Sequence, residues 1–106
     1  MKTYYGNTDT PATVSDGYWG RYQLNPRLDI KNIGRTGLTW GYMGSGPKQL
    51  AIAILADFAD AEIAKQYYYD FARLVIAGLP YPEWALTDKE VGAALKKIKA
   101  VATAEQ

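Results

Sequence analysis

From Leu50 to Ala56 the chain reads Leu-Ala-Ile-Ala-Ile-Leu-Ala, an unbroken apolar run inside a segment of helical spacing. Leu50, Ala53, Ile54, Asp57 and Phe58 fall on one side of such a helix, yet Ile52 and Leu55 on the other side are apolar too. A helix apolar nearly all round has no face to give to water. It must be the central helix of the fold, and the rest of the chain has to cover it. The run is far too short to span a bilayer. Its start is legible as well: Gly46-Pro47 opens the helix, because proline at the first helical position gives up no hydrogen bond the helix needs, and Ser45 or Gly46 can cap it.

The covering layers differ on the two sides of this helix. Residues 1–45 are rich in Gly, Thr, Asn and aromatics, and read as short strands at about Thr3–Tyr5, Tyr18–Leu24 and Leu38–Tyr42, with a weaker one near Ala12–Ser15. Asp16-Gly17 is a hairpin dipeptide, Asn25-Pro26 starts a turn, and Asn32 to Gly37 carries two glycines. Tyr18, Gly20, Tyr22 and Leu24 alternate with Trp19, Arg21 and Gln23, so one face is set for burial. Beyond the central helix, Asp60 caps a second one whose stripe is Ile63, Tyr67, Phe71, Leu74 and Val75, closed by Gly78 and Pro80. After an extended connection from Leu79 to Trp84, Thr87-Asp88-Lys89-Glu90 has the form of a capping box. The helix it starts turns Val91, Ala94, Leu95 and Ile98 inward and Lys96, Lys97 and Lys99 outward. The expected fold is α+β, a small antiparallel sheet from the N-terminal half packed on three C-terminal helices. It forms one domain over 1–106: strands and turns in 1–45, helices in 46–100, a frayed tail in 101–106.

The chain has no histidine and no cysteine. That excludes Ser-His-Asp and Cys-His nucleophilic chemistry, His- or Cys-ligated zinc, haem on these ligands, disulfides and thiol redox function. Catalysis would have to rest on carboxylates, Lys, Arg or Tyr, and no cofactor is implied. The net charge is +1, and no segment has the one-sided basic balance of a nucleic-acid binder. Against these absences stand 9 Tyr and 3 Trp but only 2 Phe, rings weighted toward those with a polar handle. Met1-Lys2-Thr3-Tyr4-Tyr5-Gly6 has no apolar stretch behind its positive charge, so it does not read as a secretory signal, and a cytoplasmic location is expected.

The densest local signal is Leu38-Thr39-Trp40-Gly41-Tyr42-Met43-Gly44-Ser45-Gly46-Pro47-Lys48-Gln49-Leu50, read as a strand, a glycine loop and a helix start. Gly41 and Gly46 have the spacing of a phosphate-binding loop, but Pro47-Lys48-Gln49 stands where Lys-Ser/Thr is required, which removes an N–H and the magnesium-binding hydroxyl. Gly44, Ser45, Gly46 and Lys48, with Arg35 as a second charge, remain candidates for a small anion or nucleotide at the helix start. The plainer reading is a tight corner packed under Trp40 and Tyr42.

Pro26-Arg27-Leu28-Asp29-Ile30-Lys31-Asn32, Thr36-Gly37-Leu38-Thr39-Trp40-Gly41-Tyr42, Gly44-Ser45-Gly46-Pro47 and Gln49 through Asp57 together resemble an uncharacterised family of small proteins, a domain of unknown function found in bacteria, plasmids and phages. The resemblance is best over 26–57 and weaker through the Tyr67–Leu79 helix and Trp84–Leu86. It implies a small cytoplasmic accessory protein, often carried by mobile elements. Where that family often has a second glycine, this chain has Met43.

Tyr67, Tyr68 and Tyr69 place their rings about 100° apart on a helix, so they cannot all face the core. Tyr67 belongs with Ile63 and Phe71, which leaves Tyr68 and Tyr69, with Trp19 and Trp84, as candidate interface anchors. Asp57 and Asp60, with Glu62 and Asp70 nearby, could hold a metal or form an acid/base pair. Capping explains Asp60, and a helix-end cap or a pair with Arg73 explains Asp57. Lys89, Lys96, Lys97 and Lys99 are interleaved with Asp88 and Glu90 and read as a solvated face. The expected function is therefore a non-enzymatic factor that binds a host protein or protein complex, in concrete form an anti-CRISPR-like inhibitor from a phage or other mobile element. No nucleic-acid or membrane partner is expected. The alternative is a small-ligand protein using residues 41–48. The partner's identity and the oligomeric state are left open.

Overall fold

The computed structural model describes residues 1–18, 20–33 and 37–104, so the readings placed on Trp19 and Arg35 lie outside the described residues. Strands β1 (Thr3–Asn7), β2 (Thr13–Ser15) and β3 (Arg21–Gln23) are followed by helices α1 (Ser45–Phe58) and α2 (Ala61–Leu74). A 3₁₀ turn (Ile76–Gly78), strand β4 (Glu83–Thr87) and helix α3 (Asp88–Ala104) complete the chain. The sheet is antiparallel throughout, in the order β3-β2-β1-β4. The α+β arrangement holds, with one addition: the sheet's fourth strand comes from the C-terminal half. Among the described residues no helix is long and apolar enough to cross a membrane.

Burial follows the pleat. Tyr4 stands opposite Val14 and Leu86, and Gly6 opposite Trp84, so one row of the sheet faces the helices. Thr3, Tyr5, Asn7, Glu83 and Ala85 take the other face. The α1 run behaves as its composition requires: residues 49–56 are all buried. Sheet residues Tyr4, Val14 and Leu86, Leu24 just after β3, α2 residues Ala64, Phe71 and Ala72, and α3 residues Val91, Leu95 and Ile98 join it in one hydrophobic cluster.

The helix signals are realised in side-chain geometry. Asp60 accepts from the Ile63 N–H at 2.9 Å. The Thr87–Glu90 capping box is reciprocal: Thr87 N donates to Glu90 Oε1 at 3.0 Å, and Glu90 N donates to Thr87 Oγ1 at 3.1 Å. Four expectations need correction. Leu38–Tyr42 is not a strand; Gly41 turns at φ 84 and donates its N–H to Ile76 O, while Glu83–Thr87 pairs with β1 instead. The Tyr18–Leu24 strand shrinks to Arg21–Gln23, because Asp16 Oδ1 gathers the N–H groups of Tyr18 and Gly20 into a loop wider than a two-residue turn. On α2, Leu74 is exposed, and Ala64 and Ala72 flank Phe71 in the buried stripe, since small residues let α2 lie close to α1. Helix α3 runs through Ala104, past the expected helix end near Ala100.

Candidate functional site

The corner that opens α1 is filled from within. A Cβ added to Gly46 would fall 1.8 Å from Thr39 Oγ1, and one added to Gly44 would fall 2.7 Å from the Tyr42 ring. The Thr39 and Tyr42 hydroxyls share a hydrogen bond of 2.8 Å across this space. Gly46 and Pro47 are buried, and Lys48 directs Nζ at the face of Tyr69, 5.2 Å from the ring centroid. The glycines thus admit the protein's own Thr39 and Tyr42 side chains. Gly44, Gly46 and Lys48 are each engaged by side chains of the protein itself.

The same corner carries an exposed aromatic surface assembled from three segments. Tyr42 is 48% exposed, Met43 39%, Tyr69 52% and Tyr81 58%. They are linked in space. Tyr81 packs against Gly41, stacks on Trp40 at 5.2 Å between centroids, and donates its hydroxyl to Trp40 O. Tyr42 lies on Gly44, and Lys48, one turn on, covers Tyr69. Because α1 and α2 are joined by a two-residue turn, α2 returns alongside α1 and brings Tyr69 to the α1 start. Of the aromatics expected at the surface, Tyr69 is there and Tyr68 is half-buried with Lys31 over its ring at 5.3 Å. Trp84 is corrected: it is only 5% exposed, because its ring folds over Gly6 on the helix-facing side of the sheet. Arg21 over Tyr5 and Lys99 over Tyr67 repeat the cation–ring pairing.

Asp57, Asp60, Glu62 and Asp70 each meet a partner within the chain. Asp70 pairs with Arg73 at 3.6 Å and Glu62 with Lys65 at 3.7 Å, so the expected Asp57–Arg73 pair does not form. Asp57, at the end of α1, instead receives Tyr4 OH at 2.9 Å, Lys2 Nζ at 3.0 Å and Tyr22 OH at 2.5 Å. Burial opposes the Asp57 charge, but the bonds from Tyr22, Lys2 and Tyr4 outweigh it and hold the carboxyl below its ordinary range. Burial, reinforced by Asp57, pushes the hydroxyls of Tyr4 and Tyr22 upward. Burial works against the Lys2 charge too, and Asp57 overcomes it, leaving the ammonium raised. The cluster ties β1, β3 and α1 together. Its residues are spread across the chain, so no local spacing could announce it. Gln49 is a second such tie: fully buried, it donates Nε2 to Pro26 O at 2.7 Å and accepts the Ile33 N–H at 2.8 Å, clamping the 25–33 loop to α1.

A family of unknown function, DUF6166, matches residues 4–97. The chain belongs to that family. Neither a curated protein nor a solved structure matches it. The DUF6166 match takes in β1 from Tyr4, the other three strands, α1, α2 and most of α3, so the aromatic surface lies within it. Of the Asp57 cluster, Tyr4, Tyr22 and Asp57 itself lie within the DUF6166 region, and Lys2 lies before it.

Proposed function

We propose that this protein is a non-enzymatic binding protein that engages another protein through the aromatic surface at the start of α1. The observation that carries this reading is the joint exposure of Tyr42, Met43, Tyr69 and Tyr81 on one corner. Tyrosine and methionine are enriched where proteins meet, and tyrosine is prominent among the residues that dominate binding energy. These rings are also held in place, Tyr42 by Thr39, Tyr81 by Trp40 and Tyr69 by Lys48, which lowers the entropy lost on docking. The concrete form is a cytoplasmic accessory factor of a phage or other mobile element that binds a host protein complex, in the manner of an anti-CRISPR inhibitor. Small size and the resemblance to families of mobile elements support that form.

The test is capture of the partner from host lysate, followed by titration of the purified pair. Wild type is expected to bind with a dissociation constant between nanomolar and micromolar. Tyr69→Ala or Met43→Ala should weaken binding by about thirtyfold if either is an anchor, equivalent to roughly 2 kcal/mol. Tyr18→Ala, at an 84% exposed position in the β2–β3 loop, should leave it unchanged. Absence of a specific partner, or full affinity in both corner variants, would refute the reading.

A further inference from the structure

Between the sheet and the start of α1 lies a cavity of about 280 Å³. Its walls are Leu24, Leu38, Leu50 and the rings of Trp40 and Trp84, and the exposed Thr10 and Gln23 mark where it opens. No ionisable side chain among the described residues lines it. One donor in the wall has no partner. Trp84 is 5% exposed and its Nε1 makes no hydrogen bond among the described residues, whereas Trp40 Nε1 donates to Pro80 O at 2.8 Å. A buried N–H left unpaired is seldom found in a native structure without a reason.

The position of that N–H follows from the strand register. Gly6 stands opposite Trp84 on the β1–β4 ladder, and a Cβ on Gly6 would fall 2.2 Å from Nε1. The indole edge therefore rests on bare backbone, and Gly6 and Trp84 both line the cavity. Because Nε1 is itself buried, a guest that takes this N–H requires a small tilt of the indole toward the cavity.

We propose that this cavity binds a neutral, flat, largely apolar molecule of one or two rings with a single hydrogen-bond acceptor, which takes the Trp84 N–H. An apolar cavity of about 150 Å³ holds benzene, so this one has room for two fused rings. The lack of ionisable lining among the described residues favours a neutral guest, since a charge would meet its desolvation cost there. The orphan Trp84 donor calls for an acceptor on the guest at Nε1. The cavity meets the aromatic corner at Trp40, which lines the one and stacks on Tyr81 of the other, but the proposal does not rest on the corner's binding role.

Quinoline and naphthalene form a matched pair of probes, equal in shape and differing by one ring nitrogen. In ¹⁵N-labelled wild type, quinoline should saturably shift one indole N–H resonance downfield, identified as Trp84 by its absence in Trp84→Phe. Naphthalene should bind about three- to tenfold more weakly, the worth of one neutral hydrogen bond. In Trp84→Phe the two should bind alike. Ala12→Phe, which fills the cavity, should abolish binding of both. If that variant fails to fold, Gln23→Trp plugs the mouth from an exposed strand position and should do the same. No saturable quinoline binding in wild type overturns the proposal. So does equal affinity for both probes, or quinoline binding that survives the plugged variant.

Discussion

Replacing Asp57 by alanine removes the acceptor on which three donors converge, Lys2, Tyr4 and Tyr22, and the cost can be apportioned by who is left without a partner. Tyr4 is fully buried, so its hydroxyl cannot turn to water, and stranding it costs about 1–3 kcal/mol. Tyr22 is 43% exposed and the Lys2 side chain 40%, so both can be solvated, and each loses at most about 1 kcal/mol. The expected destabilisation is about 2–4 kcal/mol, a large part of the roughly 5–15 kcal/mol that holds a small domain together. Urea titration followed by far-UV circular dichroism reads it directly. Tyr4→Phe in the Asp57→Ala background removes the stranded hydroxyl, so the double variant should be about 1–2 kcal/mol more stable than the sum of the single variants. Because the folded carboxyl lies below its unfolded value, the Asp57 contribution is complete above the unfolded carboxylate pKa of about 4. It is lost as pH falls through the folded value, so the gap between wild type and variant should narrow in acid. Tyr4 gives the alkaline counterpart: its raised hydroxyl stabilises fully below about pH 10 and progressively less above it. A cost under about 0.5 kcal/mol for Asp57→Ala, or strict additivity with Tyr4→Phe, would refute this account of the cluster.

Two further outcomes test the ties around α1. Gln49→Leu keeps the volume but strands Pro26 O and the Ile33 N–H, and should cost about 2–5 kcal/mol while speeding hydrogen exchange at Ile33. Gly46→Ala should lower the melting temperature despite alanine's better helix propensity, because its Cβ would sit 1.8 Å from Thr39 Oγ1. Thr39→Ala in the same chain should restore most of the loss, and a Gly46→Ala protein as stable as wild type would show that the corner is looser than described.

Signals carried by neighbouring residues were readable in the chain. The Asp60 cap and the Thr87–Glu90 box depend on groups within one turn of each other and appear in place. Helix α1 instead begins at Ser45, two residues before Pro47, on a Gly44 cap that makes no side-chain cap bond, rather than on Ser45 or Gly46. The β4 strand was legible in principle, since Trp84 and Leu86 alternate with Glu83, Ala85 and Thr87, but Pro80 and Pro82 before it suggested a connection. Leu38–Tyr42 has strand-like residues yet is drawn away by Trp40, whose ring is held by Tyr81 and Trp84 and whose indole N–H bonds Pro80 O. The corner surface was visible only in part: Tyr69 followed from helical geometry, whereas Tyr42, Met43 and Tyr81 join it through the return of α2 and the 79–82 segment.

By itself the sequence determined that a helix apolar on every side stands at the centre, because a Leu50–Ala56 run without a polar face can be stable only when covered all round. It also determined that strands open the chain ahead of α1, though not that a fourth strand returns after α2, and, through the missing histidine and cysteine, which side-chain chemistries the chain lacks. What only the tertiary structure decided is which distant groups meet: Asp57 with Lys2, Tyr4 and Tyr22, Gln49 with Pro26 and Ile33, Trp84 with Gly6, and three tyrosines with Met43 at one corner. Local periodicity reports which face of an element is buried, but not what it is buried against. Those pairings are set by how the layers close around α1.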